Sequence, residues 1–350
     1  MSIVHFPFSI LYLPLYIALA FLTACSSSSD AKKGGAVLPA SKGLPYELTL
    51  LVPKPLYSGE LRDTLDAILR QSTPGLPQHE PMFRLNVVYP DGHLADGGFS
   101  GRHLTSWRTM RLRLLVDTAA TTQLGVAHDV IASPQTEVRA TAPTPHMLAV
   151  MLGRERQRII DIFVDAELER EADALRRKFS KRTADALRNL TAASGRSRSV
   201  CVPVGLKSAK VGIDFLWTGT NLADRDQNFL YYTYPWDGFD LTAATFTDHR
   251  DSVLKANIPG AMPGQWMQTA RLDGMPLTLA RTRIINNVSQ LEVRGLWELR
   301  AGALGGPFVA LAQIDSAARR VVVVEGFVYS PHSPKRPLIR QLEAALHTFY

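Results

Sequence analysis

Ser252-Val253-Leu254-Lys255 is the chain's candidate for covalent chemistry. Three residues apart on a helix, a hydroxyl and an amine share one face, and the amine can take the proton as the hydroxyl attacks an acyl carbon. That is the arrangement of a serine/lysine hydrolase or acyl-transferase. With 22 Ser and 10 Lys in the chain, composition alone yields about 0.6 such matches. The KTG and SDN elements that would support the pattern are absent. Asp248, His249 and Asp251 crowd the start of the same helix, where acids suit the positive end of the dipole and cap free amides. The nine histidines never fall at metal-ligand spacing on one element, and no CxxC or HExxH occurs, so no metal is expected. Without a Walker loop, GxGxxG or GxSxG, no cofactor is implied. Cys201 sits in the apolar run SVCVP with no charged neighbour to activate its thiol. Tyr231, Tyr232, Tyr234, Trp236, Trp266 and Trp297 have the chemistry of a glycan or peptide groove, but strand positions of this kind usually face a core.

The charge balance is mild for a chain of 350 residues. Lys and Arg number 39 against 32 Asp and Glu, a net +7, and 29 of the basic residues are Arg. Such a surplus suits anionic lipid or polymer at an envelope. No block of like charges stands out, so ordinary solubility accounts for it and no nucleic-acid partner is expected.

The N-terminus reads as an address. Residues 3–24 are apolar apart from His5, Ser9 and Thr23, and they end in Leu22-Thr23-Ala24-Cys25. Small residues before a cysteine suit a signal peptidase, and this string resembles the lipobox of bacterial lipoproteins, in which the matching cysteine is acylated. The resemblance implies that Cys25 carries the lipid. Pro7 and Pro14 interrupt the apolar stretch, which disfavours a spanning helix. Four serines and a Lys/Gly stretch follow Cys25 as a tether. Ser26 in place of Asp resembles lipoproteins sorted to an outer membrane. The expectation is an outer-membrane, lipid-anchored protein facing the periplasm, with the bilayer as a partner through Cys25.

Beyond the tether the pattern is that of an α+β protein with mixed and antiparallel sheets, a long amphipathic helix, and a C-terminal β-meander followed by a helix. Strands are expected at 47–52, 83–89, 111–117 and within 123–142, with a helix from Ser58 to Leu69. A long helix is expected from Thr144-Pro145 to about Asn189, its dense Arg, Glu and Asp forming a solvated, salt-bridged face. Strands at 200–204, 211–218 and 228–234 precede a helix at 246–257. Alternating runs at 277–286, 290–299, 307–314 and 319–329 form the meander, and 337–347 a closing helix. The organisation read from this is a signal peptide at 1–24, a tether at 25–43, an α+β domain with the long helix at 44–198, and an α+β domain with the meander at 199–350. A weak echo, Phe83…Tyr89-Pro90-Asp91-Gly92 against Phe229…Tyr234-Pro235-Trp236-Asp237-Gly238, raises an internal duplication.

Five strings occur in one order: LPYELTLLVPKPL at 44–56, RDSVLKANIPG at 250–260, RGLWELRAGALGGPFV at 294–309, VVVVEGFVYSPHSPKR at 321–336 and LEAALHT at 342–348. Together they resemble the envelope lipoproteins of the Bacteroidota grouped as domain of unknown function 4837, over most of residues 44–350. The resemblance implies a lipoprotein address and supplies no reaction, cofactor or catalytic residue. Asp63-Thr64-Leu65, Asp117-Thr118-Ala119, Asp251-Ser252-Val253 and Asp315-Ser316-Ala317 resemble the acceptor for periplasmic O-glycosylation in those bacteria. The function these readings favour is a membrane-anchored, non-enzymatic binding or assembly factor for an envelope protein or polymer. The alternative is a cell-envelope hydrolase or acyl-transferase using Ser252 and Lys255.

Overall fold

Two of the first strands are buried along almost their whole length, as strands covered on both faces are. They are β1 (Glu47–Leu51) and β3 (Leu112–Thr118). With β2 (Arg84–Val88), β4 (Gln123–His128) and β5 (Thr136–Ala142) they form a five-stranded sheet in the order β2-β1-β3-β5-β4. All pairs are parallel except β4 with β5. Four helices belong to this half: α1 (Gly59–Leu69), α2 (Pro145–Arg154), α3 (Arg156–Arg177) and α4 (Lys181–Ala192). The computed structural model describes residues 37–94, 99, 107–192 and 195–350, so Cys25 and the apolar stretch before it lie outside the described residues.

The second half is antiparallel. It runs β6 (Ser208–Gly212), β7 (Phe215–Gly219), β8 (Asp226–Pro235), α5 (Ala243–Asn257), β9 (Met267–Thr269), then the small hairpin β10 (Arg271–Leu272) and β11 (Met275–Pro276). The meander follows as β12 (Thr278–Ile285), β13 (Val288–Leu299), β14 (Gly305–Asp315) and β15 (Arg320–Tyr329), and α6 (Arg336–Leu346) closes the chain. The sheet order is β12-β13-β14-β15-β8-β7-β6, with β9 pairing β13. The protein is therefore α+β, with a C-terminal meander and then a helix.

Strand periodicity sends alternate residues of this sheet into two cores. Val322 and Val324 join Phe229, Tyr231, Val309 and Leu311 beneath α6, in the same cluster as Leu48, Leu114 and Phe163 of the first half. Val321 and Val323 point the other way, to Tyr232, Phe246, Trp297 and Phe308 beneath α5. Residues Pro39–Tyr350 form one compact unit, and both halves contribute to the first of these cores.

Three local expectations are corrected. The single helix over 144–189 is three helices. Thr144 caps α2, its Oγ1 accepting from Met147 N at 3.2 Å with Pro145 in the first turn. The chain turns at Glu155 (φ −88°, ψ 7°), so α2 and α3 bury different stripes. It breaks again after Arg177, where Ser180 N donates to Val202 O at 2.9 Å. Neither break carries a Pro, and the second is tied by a tertiary hydrogen bond that an apolar period does not encode. The expected strand at 200–204 is coil: Cys201 N donates to Thr348 Oγ1 at 2.8 Å, and Ser199 and Tyr350 exchange backbone bonds at 3.2 Å, so the segment is tied to the last residues instead of a ladder. The expected strand at 211–218 is the β6–β7 hairpin, turned at Ile213-Asp214 with Asp214 at φ 55°.

The salt-bridged face of the long helix is only partly solvated. Arg176 pairs in solvent with Glu169 and Asp173 at 2.6 and 2.7 Å. Asp161 and Asp165 instead cross to β12, meeting Arg281 at 2.8 Å and Arg283 at 2.6 Å. The echoed strand-turn strings share no pairing: β2 is a parallel edge strand, whereas β8 lies antiparallel between β15 and β7. No helix among the described residues is long and apolar enough to cross a membrane.

Candidate functional site

Ser252 and Lys255 do lie on one helix, α5, and both side chains are exposed. The Lys255 ammonium rests 4.5 Å from the centre of the Trp266 ring, which Arg300 also approaches at 4.3 Å. This is an exposed cation–π site, and no described cleft is lined by Ser252 or Lys255. The cap of α5 is not acidic: Thr242 accepts from Thr245 N at 3.3 Å, and Thr245 Oγ1 in turn accepts from Thr242 N at 2.9 Å. His249 is stacked on Tyr234 at 4.3 Å, and Asp251 accepts from Thr269 N and Oγ1 at 2.7 Å each. Tyr231, Tyr232, Tyr234 and Trp297 are core residues, while Trp236 and Trp266 are half-buried. Burial pushes the Cys201 thiol up, so it stays protonated and unreactive. Of the four Asp-Ser/Thr strings, Ser252 and Ser316 are exposed, whereas Thr64 and Thr118 are half-buried.

Two networks of buried charge lie in the second half. Beneath α5, Arg250 and Glu325 are both fully buried and joined through two bonds, at 3.0 and 2.6 Å. Beneath α6, Glu343 accepts from Arg294 and from Arg340, the latter at 2.8 Å, while Glu292 takes the other side of Arg294 at 2.7 Å. Burial would raise the Glu343 carboxyl, but the Arg294 and Arg340 charges outweigh it and hold the group well below the usual carboxylate range. Burial would likewise lower Arg250 and Arg294, but their carboxylate partners raise both. These pairs are neutralised internally, although Arg340 also borders the cleft described next.

The cleft between α3 and α6 is different. It has a volume of about 300 Å³ and is lined by Arg111, Arg170, Arg225, Arg336 and Arg340. Arg340 is already held by Glu343, so the two lining carboxylates, Glu167 and Glu171, oppose four guanidinium groups, an excess of two positive charges. Glu167 is the buried hub: it accepts from Arg170 at 3.0 Å, Arg111 at 3.2 Å and the Tyr46 amide at 3.1 Å. Glu171 is engaged by Gln341 at 3.0 Å. Arg225, on the turn before β8, is exposed and makes no ion pair among the described residues. The Nε atoms of Arg111, Arg170 and Arg340 are buried without a hydrogen-bond partner. Burial lowers both Arg170 and Arg336, because their nearby carboxylates do not make up for lost solvation. Pro45, Tyr46, Pro337 and Leu338 supply an apolar wall. The arrangement is a preformed, under-compensated cationic cleft, chemically suited to an oxyanion.

The five arginines are spread from position 111 to 340, so no run or motif marks them. The one signal that points their way is the preference for Arg over Lys, because only Arg holds a fixed fork of donors at a partly buried site. Residues 193–348 match the family described as Domain of unknown function (DUF4837). Residues 41–176 match a different family, Domain of unknown function (DUF8532), so the resemblance to the first family extends over the second half only. No curated protein matches the chain.

Proposed function

We propose that this protein is an envelope lipoprotein whose body binds an anionic partner and does not act as a hydrolase. In this reading Cys25 is acylated and anchors the chain to an outer membrane through a Ser/Gly tether, as in lipoproteins of the Bacteroidota. The body then faces the periplasm and engages an envelope protein or polymer. The observation that carries the binding role is the cationic cleft between α3 and α6, with its excess of two positive charges and three unpartnered buried Nε atoms. The exposed positions of Ser252 and Lys255 support the same side of the choice, since an acyl-transferase holds its nucleophile and base together within a cleft.

The two parts of the reading are tested separately. Cys25→Ser is expected to move the protein from the membrane fraction to the soluble periplasmic fraction, because removal of the acylated residue leaves no lipid to insert. Retention of that variant in the membrane would overturn the anchor. Serine-reactive fluorophosphonate and β-lactam probes are expected to leave the folded protein unlabelled. Labelling that vanishes in Ser252→Ala would make the enzyme reading correct and Lys255 its next target.

A further inference from the structure

We infer that the α3–α6 cleft holds the phosphate group of a small phosphomonoester. This rests on reading the body as a binder, and it adds the chemical class of what is bound. Donors converge from four separate stretches of chain: Arg111 ahead of β3, Arg170 on α3, Arg225 before β8, and Arg336 on α6. A planar carboxylate presents two oxygens and one negative charge. A phosphomonoester presents three terminal oxygens in a tetrahedral spread and a charge of about −1.5 to −2 at neutral pH, which answers both the number of donors and the charge excess. Arg170 is already anchored on Glu167 at 3.0 Å and the Pro134 carbonyl at 2.6 Å, so its guanidinium is oriented before anything binds. Arg336 is fixed in the same way by the Met82 carbonyl at 3.3 Å. Leu338, with Pro45 and Pro337, offers an apolar wall for the organic body of the ester. The volume of about 300 Å³ admits one small headgroup and not a folded domain.

The phosphate can come from a soluble ester or from a lipid headgroup, and the test separates the two. The full mature chain in neutral detergent is titrated with glycerol phosphate, with glycerol and with sodium chloride at matched ionic strength. Saturable binding of glycerol phosphate, absent for the other two, is the expected result. Arg225→Gln is expected to weaken it about tenfold or more, the usual cost of one charge-assisted hydrogen bond. Arg225 is exposed and unpaired, so its unfolding midpoint without ligand should not move. Arg170→Lys keeps the charge but loses the fork and should weaken binding as well. Flotation with phosphatidic acid vesicles, using phosphatidylcholine vesicles as the control, assigns the source to lipid if the Arg225-dependent binding appears there, and to a soluble ester if it does not. A response that chloride reproduces, or equal affinity in all three proteins, overturns the inference. Release of inorganic phosphate from the bound ester would leave the site standing and overturn the non-enzymatic reading, whereas probe labelling at Ser252 without any phosphate binding would remove both.

Discussion

Glu325→Leu is expected to destabilise the folded protein by about 3–5 kcal/mol, because it strands a buried guanidinium. Arg250 is 0% exposed and so is Glu325, and their two bonds of 3.0 and 2.6 Å are the main satisfaction of that charge. What remains is a neutral contact to Thr269 Oγ1 at 2.9 Å and a long ion pair to Asp251 at 3.8 Å, and neither these nor the Phe308 ring 3.8 Å from Cζ replaces the two-bond carboxylate. Tyr232, whose hydroxyl donates to Glu325 at 3.2 Å, loses its acceptor in the same substitution. The pair as a whole is worth much less than either half suggests, since desolvating both ions offsets most of their attraction. The double variant Arg250→Met/Glu325→Leu should therefore recover most of what the single variant loses. A urea titration of all four proteins checks this: the midpoint falls sharply in each single variant and returns in the double. A double variant as unstable as the sum of the singles would show that the pair contributes through packing alone.

Glu343→Gln should cost about as much, ~3–5 kcal/mol at neutral pH, by leaving Arg294 and Arg340 facing a neutral amide. Its pH dependence distinguishes it from a packing defect. The Glu343 carboxyl ordinarily titrates near 4.5 and is held well below that in the fold by Arg294 and Arg340, which outweigh the opposing effect of burial. A folded value below the unfolded one means the contribution is complete above about pH 4.5 and is lost as the pH falls from there through the folded value. The gap in stability between the native protein and Glu343→Gln should thus be constant from pH 7 to 5 and narrow on further acidification. His347, which burial pushes down and the Glu343 charge partly pulls back up, titrates differently in the two proteins, so the comparison is made with His347→Gln in both. A gap that stays constant to pH 3 would mean that the Glu343 charge is not what stabilises α6 on the sheet.

The strings that carry the resemblance to known sequences hold four members of these two networks. Arg250 opens one string and Glu325 lies in another, and Arg294 and Glu343 lie in two more. Sequence alone marks such residues as charged and therefore as exposed, since a lone charge avoids a core. Their partners stand 75 and 49 residues away, on other elements, so no local pattern reveals the pairing. The same limit hid the cleft: Arg111, Arg170 and Arg340 meet only after the two sheets have been brought around α3 and α6. Conversely, Ser252 and Lys255 have correct spacing but face solvent, because helical period places them on one face without saying what that face meets.

What the sequence by itself determined is local and periodic. The apolar alternation of 277–329 dictates the meander, and the spacing of Leu338, Leu342, Ala345 and Leu346 dictates α6. Each follows from a period of 2 or 3.6 read within one segment. Tertiary structure alone decided the breaks at Glu155 and after Arg177, the loss of a strand at 200–204, and the side of the body on which uncompensated arginine gathers. Those outcomes depend on hydrogen bonds and charges between residues far apart in the chain, whose energies exceed any local preference and exist only once the fold has formed.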